Sequence, residues 1–589
     1  MQEIVGEALA KRLVDWGVDT VFGLPGDGIN GLMEGFRRQR ERLRFVLVQH
    51  EEAAAFMATG YAKATGRLGV CAATSGPGAI HLLNGLYDAK MDHMPVLAIT
   101  GMQETSVLGT QYQQEVQTTQ LYQDVAGAYN LMVTNPQQVP GVVDIAIRHA
   151  LAKRTVVHLS FPNDIQVAET TSDPYRHVSP GAPPKSSPVL SRPPVPAAHE
   201  ELERAVQVLD AGKKVAMLVG AGARDAGQEV IAVADALGAP IVKTLPGKQV
   251  VPDEHPLTTG GLGLLGTKPS EELMEQCDTL LMVGTSFPYA SYLPSPGQAR
   301  VVQIDHDASQ IGVRLPVEVA ISADARLTLK QLLPLLRRRD DRSFLGKYQG
   351  MRDTWREEMR ALQDGTRHPI APQYLIGCVD ELAADDAILT CDSGTIATWA
   401  ARHWTIRGGR EFYLSGNLAS MAPGLPYAIG MQFAHPGRQV IAYVGDGGFA
   451  MLMAEFLTAA RYELPIKVVV NNNNAYGQIL WEQIILGFPE YAVRHQQPEA
   501  DFAAWATSCG GYGCKVTEPG QVSSAIREAL AYPGPALVDC RVNPDEPPMP
   551  GKVRYEQAKE FTEAFLRGEP HKMSTLATVA RDKFNELRS

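Results

Sequence analysis

The chain reads as an α/β protein of three doubly wound, parallel-sheet domains with a short C-terminal helical tail. Three observations carry that reading. Short apolar runs of strand length alternate with amphipathic helical patterns along most of the sequence. Glycine-rich turns follow several of these runs directly, as expected where a buried parallel strand hands over to a helix. A Pro- and Ser-rich stretch, residues 179–197, separates the first such region from the next and cannot bury a core. At 589 residues the chain has room for about three to four domains.

The first domain spans 1–178. Its opening, MQEIVGEALAKRLVDWGV, has the pattern of an amphipathic helix with acidic residues and lacks the apolar core of a signal peptide. Strands are expected at Thr20–Gly23, Phe45–Val48, Leu68–Ala73 and Pro95–Thr100. The second strand ends in Gln49-His50-Glu51-Glu52, and Ala53, Ala54, Phe56, Met57 and Tyr61 offer a packing face on the helix that follows. Ser75–Gly78 reads as a turn and Ile80–Tyr87 as a helix. The second domain, 198–340, has strands at Val215–Val219, Pro240–Lys243, Thr279–Val283 and Val301–Ile304. A charged run, Arg337–Arg342, read as a solvated helix face or linker, leads through a polar connecting helix (341–365) into the third domain, 366–545. The tail, 546–589, has helical patterns at Tyr555–Leu566 and Ser574–Leu587, with Leu576, Ala580, Phe584 and Leu587 as a narrow apolar stripe. The three units could be diverged repeats of one topology.

Composition narrows the function. Net charge is −11, from 54 basic and 65 acidic residues, which argues against general nucleic-acid binding. No apolar run reaches the length of a spanning helix. The seven cysteines are scattered, odd in number and not in zinc spacing, as expected for reduced thiols in a cytoplasmic protein.

The chemistry concentrates in Gly445–Glu482. Gly445-Asp446-Gly447-Gly448-Phe449 follows the apolar run Gln439–Val444, and one helix and one strand (Ile466–Val470) later comes Asn472-Asn473. If the two strands are parallel, Asp446 and Asn473 converge on one point. Oxygen ligands there fit a hard divalent cation that keeps phosphate in its shell. The glycines admit a phosphate close to the backbone, at a helix N-terminus. A second GDG, Gly26–Gly28, has no asparagine pair at this distance and reads as a turn.

This pattern resembles the diphosphate-anchoring motif of thiamine-diphosphate enzymes, and the likeness extends over nearly the whole chain. It looks like the pyruvate oxidase (quinone-dependent pyruvate dehydrogenase) and acetolactate synthase branch. The resemblance implies thiamine diphosphate and Mg2+ as cofactors, with Asp446, Asn473 and the Ala475 carbonyl as metal ligands. Gly394 and Thr395 match a loop contacting the diphosphate, Gly445, Gly447, Gly448 and Phe449 the anchor, and Tyr476 and Gly477 its continuation. Met421 matches the residue that wedges the cofactor into a bent shape. Glu51 matches the glutamate that activates the aminopyrimidine, and Gln114 a substrate-side glutamine. In the branch the matching glutamate and the anchor come from different subunits, which implies a homodimer or homotetramer. The middle domain often holds FAD, and Gly220, Lys248, Gly284, Thr285, Asp305 and Asp324 match flavin-binding segments.

The resemblance implies decarboxylation of a 2-oxo acid, foremost pyruvate, with electrons passed through FAD to a quinone or oxygen. The alternative is carboligation of acetolactate synthase type, in which the two-carbon unit joins a second carbonyl compound. Ile479 matches the aliphatic residue beside the reacting carbon. Glu482 falls where pyruvate oxidases carry a glutamate; acetolactate synthases have tryptophan there, and Trp481 is one position early. Gln478 and Gln113 stand where relatives have aromatic residues and make the pocket more polar. The segment Tyr555–Lys559 resembles the lipid-docking tail of quinone-reducing oxidases, but this tail is less hydrophobic. The expected location is the cytoplasm, with membrane contact at most peripheral.

Overall fold

In the computed structural model the described residues are 3–170, 187–191, 193–495 and 500–549, together with residues 564, 567, 569–571 and 573–579 of the tail. Three six-stranded parallel sheets carry the fold. The first contains β1 (Thr20–Gly23), β2 (Arg44–Leu47), β3 (Gly69–Ala73), β4 (Val96–Met102), β5 (Asn130–Met132) and β6 (Val156–Pro162). The second contains β7 (Val215–Val219), β8 (Ile241–Lys243), β9 (Thr258–Gly261), β10 (Thr279–Val283), β11 (Arg300–Asp305) and β12 (Val319–Ser322). The third contains β13 (Ile388–Cys391), β14 (Glu411–Tyr413), β15 (Val440–Gly445), β16 (Lys467–Asn472), β17 (Tyr512–Val516) and β18 (Ala536–Arg541). Central strands such as β3, β4 and β16 are buried at every residue, because helices cover both faces of each sheet. That is why they read as unbroken apolar runs.

The outer two sheets share one topology, β2-β1-β3-β4-β6-β5 and β14-β13-β15-β16-β18-β17. The central sheet differs: its order β12-β11-β10-β7-β8-β9 is the 3-2-1-4-5-6 order of dinucleotide-binding folds. The expectation of one repeated topology therefore needs correction, since hydrophobic period alone does not encode strand order. The helix expected at Ile80–Tyr87 is two helices, Pro77–His81 and Leu83–Met91.

The first and third domains meet where the helix Glu51–Thr65 crosses the helix Gly424–Ala434. Ala53, Ala54, Phe56, Met57 and Tyr61 all enter a core shared with Tyr427, Ile429 and Met431. The backbones approach so closely that a Cβ on Gly430 would stand 2.2 Å from the Met57 carbonyl oxygen. The connecting segment is one helix, Ser343–Ala361. The tail pattern Tyr555–Leu566 lies almost entirely outside the described residues, while 573–579 is helical. No helix among the described residues is long and apolar enough to cross a membrane.

Candidate functional site

β15 and β16 are parallel neighbours with Gly445 opposite Asn471, so the chain leaves both strands at the same level. Asp446 opens the helix Asp446–Leu452, and Asn473 starts the loop that leads into the helix Gly477–Ile485. The Asn473 Oδ1 accepts the Ala475 N–H at 3.2 Å, and Asn474 adopts a left-handed φ of 53° to turn the loop. Asp446 is buried, and burial pushes its carboxyl up to about 7 against the lowering effect of backbone N–H groups. His495 Nε2 stands 3.4 Å from Asp446 Oδ2, but burial lowers the imidazole pKa as well, so it supplies no positive charge. A desolvated carboxylate beside an asparagine oxygen, on which the Arg541 charge is only a minor lowering influence against burial, fits a hard divalent ion.

The surrounding turn is packed too closely for a side chain at Gly447 or Gly448. A Cβ on Gly448 would lie 2.2 Å from Asp392 Oδ2, and one on Gly447 2.7 Å from the Tyr476 ring. Asp392, a residue sequence reasoning passed over inside the CDSGT segment, is buried, raised to about 7 by that burial, and accepts the Gly424 N–H at 2.7 Å. Gly394, at φ 124°, caps the helix Thr395–His403 and turns its N-terminus to the same space. Met421 sits in a loop set by left-handed Ala419 (φ 57°) and Ala422 (φ 78°), conformations that cost alanine energy and are held by the packing around them.

One cavity of about 1980 Å³ takes in these groups: Gly394, Thr395, Met421, Gly445, Asp446, Gly447, Gly448, Asn473, Ala475, Tyr476 and Gly477 line it. Gln478, Ile479 and Glu482 line it from one face of their helix, where Gln478 Nε2 donates to Glu482 Oε1 at 3.0 Å. Leu480, Trp481 and Ile484 occupy the opposite face and are buried in a separate apolar cluster. Trp481 is thus a core residue, and Glu482 is the group that this face offers. The cavity continues to the central sheet, where Gly284, Thr285, Asp305 and Asp324 line it. It opens there between β7 and β10, the point at which strand order reverses. Gly222 follows β7 and Gly284 follows β10, and the Gly222 N–H bonds the Gly284 carbonyl at 3.0 Å.

Five expected residues stand elsewhere. Gly220 packs against Thr285, and Phe449 lies in the core with its ring 5.1 Å from that of Phe502. Lys248 turns into a smaller, separate cavity, where its Nζ binds Asp253 Oδ2 at 2.9 Å and the Ala401 carbonyl at 3.0 Å. Glu51 and Gln114 do not line the large cavity of the same chain. Glu51 begins its helix, is buried, and holds His81 Nδ1 at 2.9 Å from Oε2, with the His50 and His81 rings stacked 4.6 Å apart. Ser75 Oγ donates to Gln114 Oε1 at 3.2 Å, and Gln114 is left-handed at φ 62°. The second GDG packs beside them, where a Cβ on Gly28 would meet Ser75 Oγ at 2.5 Å. These groups form a first-domain cluster of their own. His81 and Glu455, whose Oε1 accepts the Gln49 and His50 N–H groups, escaped sequence reasoning because only the fold brings them to the Glu51 turn.

Sequence comparison agrees with this architecture. Residues 4–121 match the N-terminal TPP binding domain of thiamine pyrophosphate enzymes, 202–332 the central domain and 392–540 the C-terminal TPP binding domain. The chain belongs to the thiamine pyrophosphate (thiamine diphosphate) enzyme family. Within it, the chain is 41% identical over 562 residues to Bacillus subtilis YdaP, provisionally named a thiamine pyrophosphate-containing protein, covering 95% of each chain. It is 32% identical over 558 residues to pyruvate oxidase of Lactiplantibacillus plantarum, covering 94% of this chain and 91% of that one. It is 32% identical over 540 residues to the Escherichia coli acetolactate synthase isozyme 3 large subunit, covering 89% and 92%.

Proposed function

We propose that the protein decarboxylates pyruvate with thiamine diphosphate and Mg2+ and oxidises the two-carbon product through FAD, delivering the electrons to a quinone or oxygen. One observation carries this reading: a single cavity joins the diphosphate anchor to the switch point of a central sheet with dinucleotide-binding strand order. At about 1980 Å³ it exceeds the ~300–1,000 Å³ of an ordinary small-molecule site and has room for two cofactors. When bound, thiamine diphosphate supplies the nucleophilic carbon and electron sink for loss of CO2, and FAD a two-electron acceptor.

The residues divide the work as follows. Asp446, the Asn473 side chain and the Ala475 carbonyl hold Mg2+, whose charge relieves the buried Asp446 carboxylate. Gly447, Gly448, Gly394 and Thr395 present N–H groups to the diphosphate. Met421 would support thiamine diphosphate from its strained loop. Gly284, Thr285, Asp305 and Asp324 would hold the flavin. Glu51 holds a proton against the aminopyrimidine nitrogen, positioned by His81. Because Glu51 and Gln114 do not line the cavity of their own chain, they would serve the cavity of a second copy, in a homodimer or homotetramer. Ile479 and Met451, 47% and 53% exposed in one chain, are then covered. Free thiols at all seven cysteines accord with the cytoplasm.

The hydrogen bond from Gln478 to Glu482 favours a second reading, carboligation of acetolactate synthase type, because it engages the carboxylate and keeps this face polar. An anaerobic absorbance spectrum of the protein with Mg2+ and thiamine diphosphate, before and after pyruvate, separates the two. Flavin bands that bleach are the expected result. A colourless protein that makes acetolactate overturns the oxidase reading.

A further inference from the structure

The smaller cavity, about 290 Å³, lies between the central and third domains; it shares Thr244, Leu245, Leu262 and Leu265 with the large cavity but no residue of the Gly445–Gly448 and Asn473–Gly477 turns. The connecting helix Ser343–Ala361 forms one wall. Arg352, Trp355, Arg356, Met359 and Arg360 reach it at spacings of three and four residues, which is one helical face. Seven lysine and arginine side chains line the cavity against three carboxylates, in a chain of net charge −11.

Two of those carboxylates are already engaged. Asp253 accepts from Lys243 at 2.5 Å, from Lys248 at 2.9 Å and from the Ile406 N–H at 2.7 Å. Asp380 accepts from Arg410 at 2.8 Å and the Thr405 N–H at 2.7 Å. Glu254 is exposed. The Arg402 guanidinium has backbone carbonyls (Met549 at 2.6 Å, Leu264 at 3.2 Å) and the Trp355 ring at 5.8 Å as partners, and no carboxylate. Arg360 has no acidic partner among the described residues. His403 is 4% exposed; Gln363 Nε2 donates to its Nδ1 at 3.0 Å, which leaves the proton on Nε2, and Nε2 is buried without a partner.

We infer that this cavity binds a compact phosphate-bearing anion at a site distinct from the catalytic centre. Guanidinium forks, lysine ammonium groups and an imidazole N–H converge there, all donors, around a space of small-ligand size. The electrostatics agree. Burial lowers Arg402 to about 10 and Lys243 to about 8, and burial with the neighbouring Arg402 and Lys248 charges lowers His403 to about 3. An anion would supply the negative charge that Arg402 lacks and a hydrogen-bond acceptor for the His403 Nε2–H. The inference does not depend on the reaction proposed above, because no residue assigned to that reaction by its position in the large cavity takes part.

The test is calorimetric titration of inorganic pyrophosphate, at low ionic strength, into the full-length protein both free of and loaded with thiamine diphosphate and Mg2+. In the loaded protein one saturable site per chain is expected. Arg360→Gln should weaken it about ten- to a hundred-fold, the loss of one charge-assisted contact, and Arg360→Lys should recover part of the affinity. Arg360 lies at the exposed end of its helix, and a thermal scan confirms that both variants fold. Four outcomes overturn the inference: no saturable heat, equal binding by Arg360→Gln, binding that vanishes once thiamine diphosphate fills the anchor, or citrate binding more tightly than pyrophosphate. Failure to load thiamine diphosphate would count against the proposed reaction, and the unloaded titration would still report on this cavity.

Discussion

Glu455 belongs to the third domain, yet it holds the turn that precedes Glu51 in the first. It is fully buried. Its Oε1 accepts the Gln49 and His50 N–H groups, each at 3.0 Å, and its Oε2 accepts the Thr458 hydroxyl at 2.7 Å. Burial pushes its carboxyl from 4.5 up to about 7, outweighing those hydrogen bonds. In the unfolded chain the same carboxyl returns to the ordinary value. The stabilising contribution is therefore fully present below the unfolded value and lost as pH rises through the folded one. At about 1.4 kcal/mol per unit, the loss approaches about 3 kcal/mol. Glu455→Gln keeps an uncharged acceptor, so it should match the native protein near pH 4 and exceed its stability near pH 8. Glu455→Ala strands two N–H groups in a dry interface at about 1–3 kcal/mol each. It should be less stable at both pH values and lose turnover as the Glu51 turn loosens. Thermal unfolding across this pH range, with kcat measured alongside, decides the matter. A Glu455→Gln protein no more stable than the native one near pH 8, or one that falls together with Glu455→Ala, refutes the argument.

Three further outcomes are expected. Glu51→Gln should retain thiamine diphosphate binding by titration while turnover drops by about 10²–10⁴-fold, the range for a proton-transfer group. Trp481→Ala should lower stability by about 3–5 kcal/mol as a core truncation, whereas Glu482→Gln should leave the melting temperature unchanged and alter only the rate with pyruvate. Gly448→Ala should abolish cofactor binding, measured as loss of thiamine diphosphate affinity, because its new methyl carbon would stand 2.2 Å from Asp392 Oδ2.

Sequence by itself determined the elements and the convergence of Asp446 with Asn473. β1, β7 and β10 lie on the residues expected of them, since strands buried on both faces are continuous apolar runs. Asp446 and Asn473 meet because a strand, a helix and a parallel strand of those lengths leave few alternatives. Tertiary structure decided what depends on strand order and on which face a helix turns inward. The central sheet proved to have its own order, Lys248 turned away from the large cavity, and Trp481 went into the core while Glu482 faced the cavity. Likewise Glu455 and His81 reach the Glu51 turn across hundreds and tens of residues of chain, and Arg402 and His403 meet the connecting helix only after the domains pack. Local periodicity records which residues are apolar, and it carries no record of the distant partner that makes a polar residue buried, charged or free.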